Sequence, residues 1–181
     1  KITIDSSTLM NKGFEVIEAS HLFGIPGEMI DVIVHRESII HSMVEFVDNS
    51  VIAQLSVPDM RHCVQYALEL PDRHEAVIPP LDLSKIAKLS FAAPDEDTFI
   101  PLKLARESLY LGGAASAVLH SANEVAVTRF LEGKIRFIDI FDTIEYICAE
   151  MKQASNSTTL GEILSCVETA AQMADEYLAR K

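Results

Sequence analysis

Four of the chain's seven prolines fall between Pro71 and Pro94. Proline lacks the N–H that a helix interior or a central strand needs. The stretch from His74 to Asp97 is therefore expected to cross the surface as a connection, with at most a short strand at Lys88–Phe91. It separates a front part with mixed helix and strand signals from a back part whose periodicity is helical throughout.

In the front part, Thr3–Asp5 reads as the end of a strand, and Ser7 or Thr8 as the cap of the helix that follows. Phe14, Ile17, Leu22 and Phe23 would give that helix an apolar face, and Gly24 would end it. Ile30–His35 is a β-rich run. Ser42–Val47 and Val51–Leu55 flank Asp48-Asn49-Ser50, a trio suited to a hairpin turn. Pro58 is placed to open a helix reaching about Leu70, which Pro71 stops.

In the back part, Pro101 can start a helix that ends at Gly112-Gly113. Ser121-Ala122-Asn123-Glu124 has capping-box spacing ahead of Val125–Leu131. Asp139 can cap a helix reaching Met151. Thr159-Leu160-Gly161-Glu162 is a second capping box, and Leu160, Ile163, Leu164, Val167, Ala171, Ala174 and Leu178 follow it at helical spacing. The expected class is α+β: a partial α/β domain with a mixed or antiparallel sheet over 1–71, a connecting segment over 72–97, and a helical bundle over 98–181.

Charge excludes several functions. The net charge is −12, so no basic face is expected for nucleic acid. Nor would that charge steer a phosphorylated ligand from afar, and any anion site must be local. No apolar run approaches the ~20 residues of a membrane helix, and no secretory pattern opens the chain. Cys63, Cys148 and Cys166 have neither disulfide-framework nor metal-ligand spacing, and read as reduced thiols.

One local cluster stands out. Lys12 supplies a compact positive charge for a phosphate. Ser6 and Asn11 supply neutral donors, and a helix start adds exposed N–H groups. Glu15 lies three residues beyond Lys12 on one side of the helix, with Glu18 a turn later. A hard divalent cation seeks such carboxylate oxygens. The plainer alternative, a helix cap followed by a solvated Lys12/Glu15 pair, explains the same spacing.

The run Asp5-Ser6-Ser7-Thr8-Leu9-Met10-Asn11-Lys12-Gly13-Phe14-Glu15-Val16-Ile17-Glu18-Ala19 closely resembles the catalytic-domain motif of the 1-deoxy-D-xylulose 5-phosphate reductoisomerases. The resemblance continues through Ser38–Glu45, Ala53-Gln54-Leu55, Pro58-Asp59-Met60-Arg61 and Pro80-Leu81-Asp82. It reappears at Ser121–Val127 and Ile135–Ile140, and covers about 140 residues in order.

The resemblance implies an enzyme that rearranges 1-deoxy-D-xylulose 5-phosphate and reduces the product with NADPH to 2-C-methyl-D-erythritol 4-phosphate, a step of isoprenoid synthesis. It implies Mg²⁺ or Mn²⁺ as metal and a homodimer, in the bacterial cytoplasm or a plastid. Residues 1–71 would be the second half of the catalytic domain. Ser6, Asn11, Lys12 and Glu15 match substrate-binding positions, and Glu15 also a metal ligand. Glu18 would be an outer-shell carboxylate. His41 matches a histidine near the active site, with either a direct or a structural role. Met60 matches a methionine lining the nicotinamide side. No residue here is assigned as a catalytic acid or base.

Arg36-Glu37, Ser56-Val57 and His62-Cys63 depart from the family pattern beside the site. No G-x-G-x-x-G follows a strand. The NADPH domain, the other metal carboxylates and the mobile loop over the substrate are all expected to precede residue 1. The 181 residues alone are thus expected to be inactive. The alternative function is a non-enzymatic helical association module derived from the same family.

Overall fold

Ile2–Ser7 forms a short helix, α1, in the computed structural model, which describes residues Lys1–Lys181. The expected strand end at Thr3–Asp5 is thus helical. Its β-branched residues find no strand partner, and Asp5, 4% exposed, accepts instead from Asn123 Nδ2 at 2.9 Å. Thr8 then closes α1, and Leu9 turns the chain through a left-handed backbone, φ 61°. Helix α2 spans Met10–Phe23 and ends at Gly24, also left-handed. Thr8 contributes a hydroxyl that accepts from the Met10 N–H at 3.4 Å, although it is not itself the cap residue.

The buried face of α2 is not the expected one. Met10, Gly13 and Val16 are buried, whereas Leu22 and Phe23 are largely exposed. Phe14 and Ile17 flank the core rather than fill it. The correction follows from Gly13: it lets the helix sit close on that side, so the 3.6-residue stripe turns toward it.

The chain falls into two compact units, Lys1–Val32 with Asp95–Lys181, and Ile33–Pro94. This grouping cuts the chain differently from the sequence division at residues 71/72 and 97/98, because α2 packs against a back helix.

The first unit is helical. Its further helices are α5 (Ile100–Leu111), α6 (Ala115–Leu131), α7 (Phe137–Glu150) and α8 (Leu160–Leu178). The second unit holds the strands β1 (Ile40–Glu45) and β2 (Val51–Leu55) and the helices α3 (Arg61–Glu69) and α4 (Leu83–Ile86).

In the first unit, α6 is the central helix. One cluster joins Val118 and Ala122 to Ile147 of α7 and to Ala170 and Ala174 of α8. The other joins Met10 of α2 and Ala105 of α5 to Leu119, Ala126, Ile140 and Ile144. Alanine at so many contact points lets the helix axes approach closely.

Helix α6 also overturns the capping box expected at Ser121–Glu124, which lies inside it. Ser121 Oγ donates to the Val167 carbonyl at 2.8 Å, and Asn123 is fully buried. Asp139 does cap α7, but from the helix's first turn: it accepts from the Arg136 N–H at 2.8 Å. The Thr159/Glu162 box is formed as expected, with Glu162 Oε2 accepting from the Thr159 N–H at 3.0 Å. On α8, Leu160 and Leu164 are exposed, and the inward stripe runs instead through Ile163, Cys166, Ala170, Met173, Ala174 and Leu178.

The second unit buries only Ile39, Ser56 and Ile78. Its hairpin pairs Met43 with Ala53 and Val44 with Ile52 antiparallel, and Asn49 takes the left-handed turn position, φ 65°. The β-rich runs Ile30–His35 and Lys88–Phe91 yield no strand, only a single bridge between Val34 and Ala92. What fixes that crossing is His35. Its Nδ1 meets the Ser90 carbonyl at 2.9 Å, its Nε2 accepts from the Ile39 N–H at 3.2 Å, and its ring stacks on Phe91. Helix α3 begins at Arg61, three residues past Pro58, and stops before Pro71 as expected. No helix is long and apolar enough to cross a membrane.

Candidate functional site

The chemistry of the opening segment is gathered on α2. Asn11 Nδ2 donates to Glu15 Oε1 at 2.7 Å, and Lys12 Nζ pairs with Glu15 Oε2. One carboxylate thus holds an amide and an ammonium, four and three residues back along one helix face. Both charged side chains are close to half exposed. An exposed pair of this kind is worth only about 0–1 kcal/mol. It therefore does little to hold the fold, and its groups can be redirected to a ligand at small cost.

The position of that face is fixed from below by Gly13. A Cβ built there would lie 2.7 Å from the Ala105 Cβ and 3.4 Å from the Pro101 carbonyl oxygen. Only glycine lets α2 sit this close to α5.

Asn11 and Glu18 also line an open groove of about 540 Å³, together with Lys1, Asp5, Phe14 and His120. Phe14 and the His120 ring pack at 5.3 Å. Asn11 thus stands between the groove and the Lys12/Glu15 pair. Glu18 is exposed and is not part of the hydrogen-bonded set. Ser6 sits exposed on α1, one residue after the buried Asp5, and its hydroxyl is likewise outside that set.

His41 and Met60 belong to the second unit. His41 is exposed on β1. Met60 is 75% exposed at the start of α3. It is held between Asp59 and Arg61, whose guanidinium donates to the Asp59 carboxylate at 2.6–3.1 Å. Those hydrogen bonds lower the Asp59 carboxyl to about 2.

For a divalent metal, the donor set is partial. Nowhere do three or more His, Cys, Asp or Glu side chains converge as a cage. Glu15 offers hard oxygens in the open, which suits one ligand of a site that keeps further positions for other donors.

Sequence reasoning missed one structural pair beneath the cluster. Asn123 Nδ2 of α6 donates to Asp5 Oδ1 at 2.9 Å across 118 positions. The available signal was an amide amid apolar residues on a continuous helical pattern, which capping-box spacing masked.

Comparison with known proteins bears on the family and the fold of the chain. The family described as DXP reductoisomerase C-terminal domain matches residues 55–173, and that described as 1-deoxy-D-xylulose 5-phosphate reductoisomerase C-terminal domain matches residues 1–23. The 1-deoxy-D-xylulose 5-phosphate reductoisomerase of Clostridium botulinum (strain Hall) is 51% identical over 181 residues, covering 100% of this chain and 46% of the relative. That of Xanthomonas campestris pv. campestris is 48% identical over 179 residues, covering 99% and 45%.

Among solved structures, the Zymomonas mobilis reductoisomerase in complex with NADPH superposes with a TM-score of 0.91 at 42% identity, covering 98% of this chain and 47% of that one. A DOX-P reductoisomerase in complex with NADPH, fosmidomycin and magnesium gives 0.93 at 39%, covering 98% and 46%. The chain spans about half the length of the relatives it matches. In sequence and in fold, it belongs to the 1-deoxy-D-xylulose 5-phosphate reductoisomerase family.

Proposed function

We propose that these residues form the C-terminal portion of an enzyme that converts 1-deoxy-D-xylulose 5-phosphate to 2-C-methyl-D-erythritol 4-phosphate with NADPH and Mg²⁺ or Mn²⁺. The observation that carries the reading is the Asn11–Lys12–Glu15 cluster: polarised, half-exposed, and seated on a helix that Gly13 holds rigidly against α5.

Each group has a role in this reading. The Lys12 ammonium and the Asn11 amide, with the Ser6 hydroxyl, bind the oxygens of the phosphorylated sugar. Glu15 is one metal ligand and contacts the substrate, while Glu18 orients the site from outside. A bound divalent cation supplies a Lewis acid for the substrate's oxygens, and NADPH supplies the hydride. Met60 flanks the nicotinamide and His41 lies near the reacting centre. NADPH is held mainly by a dinucleotide domain elsewhere in the parent, and the 181 residues alone do not turn over.

Support for a larger assembly comes from the second unit. It exposes Val44, Val47, Val51 and Ile52 on the hairpin and Val64, Leu68 and Leu70 around α3. A surface this apolar is normally covered by more protein. The homodimer and a cytoplasmic, bacterial setting belong to the same reading.

The test uses the full-length parent. Glu15→Gln removes one ligand charge and is expected to raise the Mn²⁺ midpoint for activity ~10-fold or more. Lys12→Ala is expected to raise KM for the phosphorylated sugar. An unchanged metal midpoint with an unchanged sugar KM refutes the assignment.

A further inference from the structure

Asn123 is fully buried on the central helix of the bundle, yet only half of its amide is used. Nδ2 donates to Asp5, and Oδ1 has no partner. A buried polar atom without a hydrogen bond is costly, and an alanine, like its neighbour Ala122, would avoid that cost. What the amide does accomplish is to reach the carboxylate of Asp5, itself 4% exposed. Because Asp5 can only accept, the amide nitrogen must face it, and the orphan oxygen follows.

Asp5 carries the opening segment. Its other oxygen, Oδ2, lies 3.4 Å from Lys1 Nζ. Its backbone carbonyl accepts from Thr8 Oγ1 at 3.2 Å, and Thr8 Oγ1 in turn accepts from the Met10 N–H. The chain of bonds therefore runs from α6 through Asp5 and Thr8 to the first residue of α2. Ser6 lies one residue after Asp5, and Asn11 and Lys12 follow Met10 directly.

We infer that Asn123 is a positioning residue for the reductoisomerase reaction: through Asp5 it locks the α1–α2 junction to the bundle, and so sets the placement of Ser6, Asn11 and Lys12 toward the phosphorylated sugar. The inference rests on the substrate-site reading above. It assigns the helical bundle a part in substrate geometry, carried by one buried amide rather than by packing alone.

The experiment uses the full-length enzyme with 1-deoxy-D-xylulose 5-phosphate and NADPH. Asn123→Asp puts a second carboxylate against Asp5. KM for the sugar phosphate is expected to rise about 10-fold, the scale of one lost charge-assisted hydrogen bond, with KM for NADPH unchanged. The exchange D5N/N123D restores a donor facing a carboxylate, with the direction reversed, and is expected to recover most of the loss. If N123D gives no soluble enzyme, Asn123→Ser, smaller and uncharged, is read for the same KM split.

Equal increases in both KM values, or no recovery in the exchange, overturn the proposal in favour of a purely structural amide. An unchanged sugar KM in the Asn123 variants with a raised one in Lys12→Ala overturns the proposal alone. An unchanged sugar KM in all of them overturns the site reading and the proposal with it.

Discussion

Gly13→Ala would ordinarily stabilise a helix, since alanine is favoured over glycine by about 1 kcal/mol in a helix interior. Here the sign should reverse. The added methyl would lie 2.7 Å from the Ala105 Cβ, where ordinary contact begins near 3.4 Å, so α2 must retreat by about 0.7 Å. Neither wall can yield alone: Ala105 has no side-chain torsion to turn, and the Pro101 carbonyl oxygen and Leu102 Cα stand at 3.4 and 3.7 Å.

Forcing a methyl into a packed contact costs about 1–3 kcal/mol. Offset by the helix gain, the net loss is about 1 kcal/mol, or a fall in Tm of about 2–4 °C for a chain of this size. Activity should suffer more than stability, because Asn11, Lys12 and Glu15 ride on the displaced helix. Binding geometry tolerates about 0.5 Å, and a misplacement near 1 Å costs up to 10²-fold. The assay pairs thermal unfolding with kcat/KM of the full-length enzyme, for Gly13→Ala and for the same change with Ala105→Gly, which removes the opposing methyl. Recovery of kcat/KM in the double variant is the expected result. A more stable, fully active Gly13→Ala would refute the claim that this contact seats the cluster.

Two further outcomes follow from buried titratable groups. The Arg136 guanidinium donates to Asp139, at 3.0 and 3.1 Å, and holds its carboxyl well below the usual carboxylate range, against the burial that pushes it up. A carboxyl lowered on folding contributes stability above its unfolded pKa, about 3.9, and loses it as pH falls toward the folded value. Asp139→Asn should therefore cost about 1.5–3 kcal/mol at pH 7. The gap to the unmodified protein should begin to narrow below about pH 4, and urea unfolding at pH 7 and pH 3 checks it. Burial, helped by Glu107, raises the Cys148 thiol to about 12. Iodoacetamide at pH 8 should alkylate the exposed Cys63 and spare Cys148 in the folded protein, as read by mass spectrometry. Equal labelling would contradict the packing around α7.

The legible parts of the fold are those decided within a few residues. Asn49 tolerates positive φ, so the hairpin turn can be read locally. Thr159 and Glu162 satisfy each other's backbone donors, so the start of α8 can be read too. Lys12 and Glu15 share a helix face by spacing alone, and the structure keeps them paired. Ile2-Thr3-Ile4 misleads because β-branched residues favour strands only when a strand neighbour exists to bury them. In this segment no ladder forms, and the tie from Asp5 to α6 selects a helix instead. Ser121–Glu124 misleads in a parallel way: capping residues are competent caps only at a free helix end, and Ser121 and Asn123 have partners on α8 and α1.

Those two misreadings have one physical origin, and it bears on function. The sequence separates a front part bearing the polar cluster from a helical back part, whereas folding joins α1 and α2 to α5 and α6 in one unit. The cluster on α2 then inherits its rigidity from residues about a hundred positions away. Ala105 sets how close the helix lies, and Asn123 sets how the chain enters it. Exposed ion pairs such as Lys12/Glu15 cannot fix their own geometry at 0–1 kcal/mol. Buried contacts beneath them can, because displacing either one opens or overfills a packed core. In the proposed site, the precision required at the ligand end is therefore supplied by the bundle, and substitutions at Ala105 or Asn123 should change substrate binding with Ser6, Asn11, Lys12 and Glu15 all left unaltered.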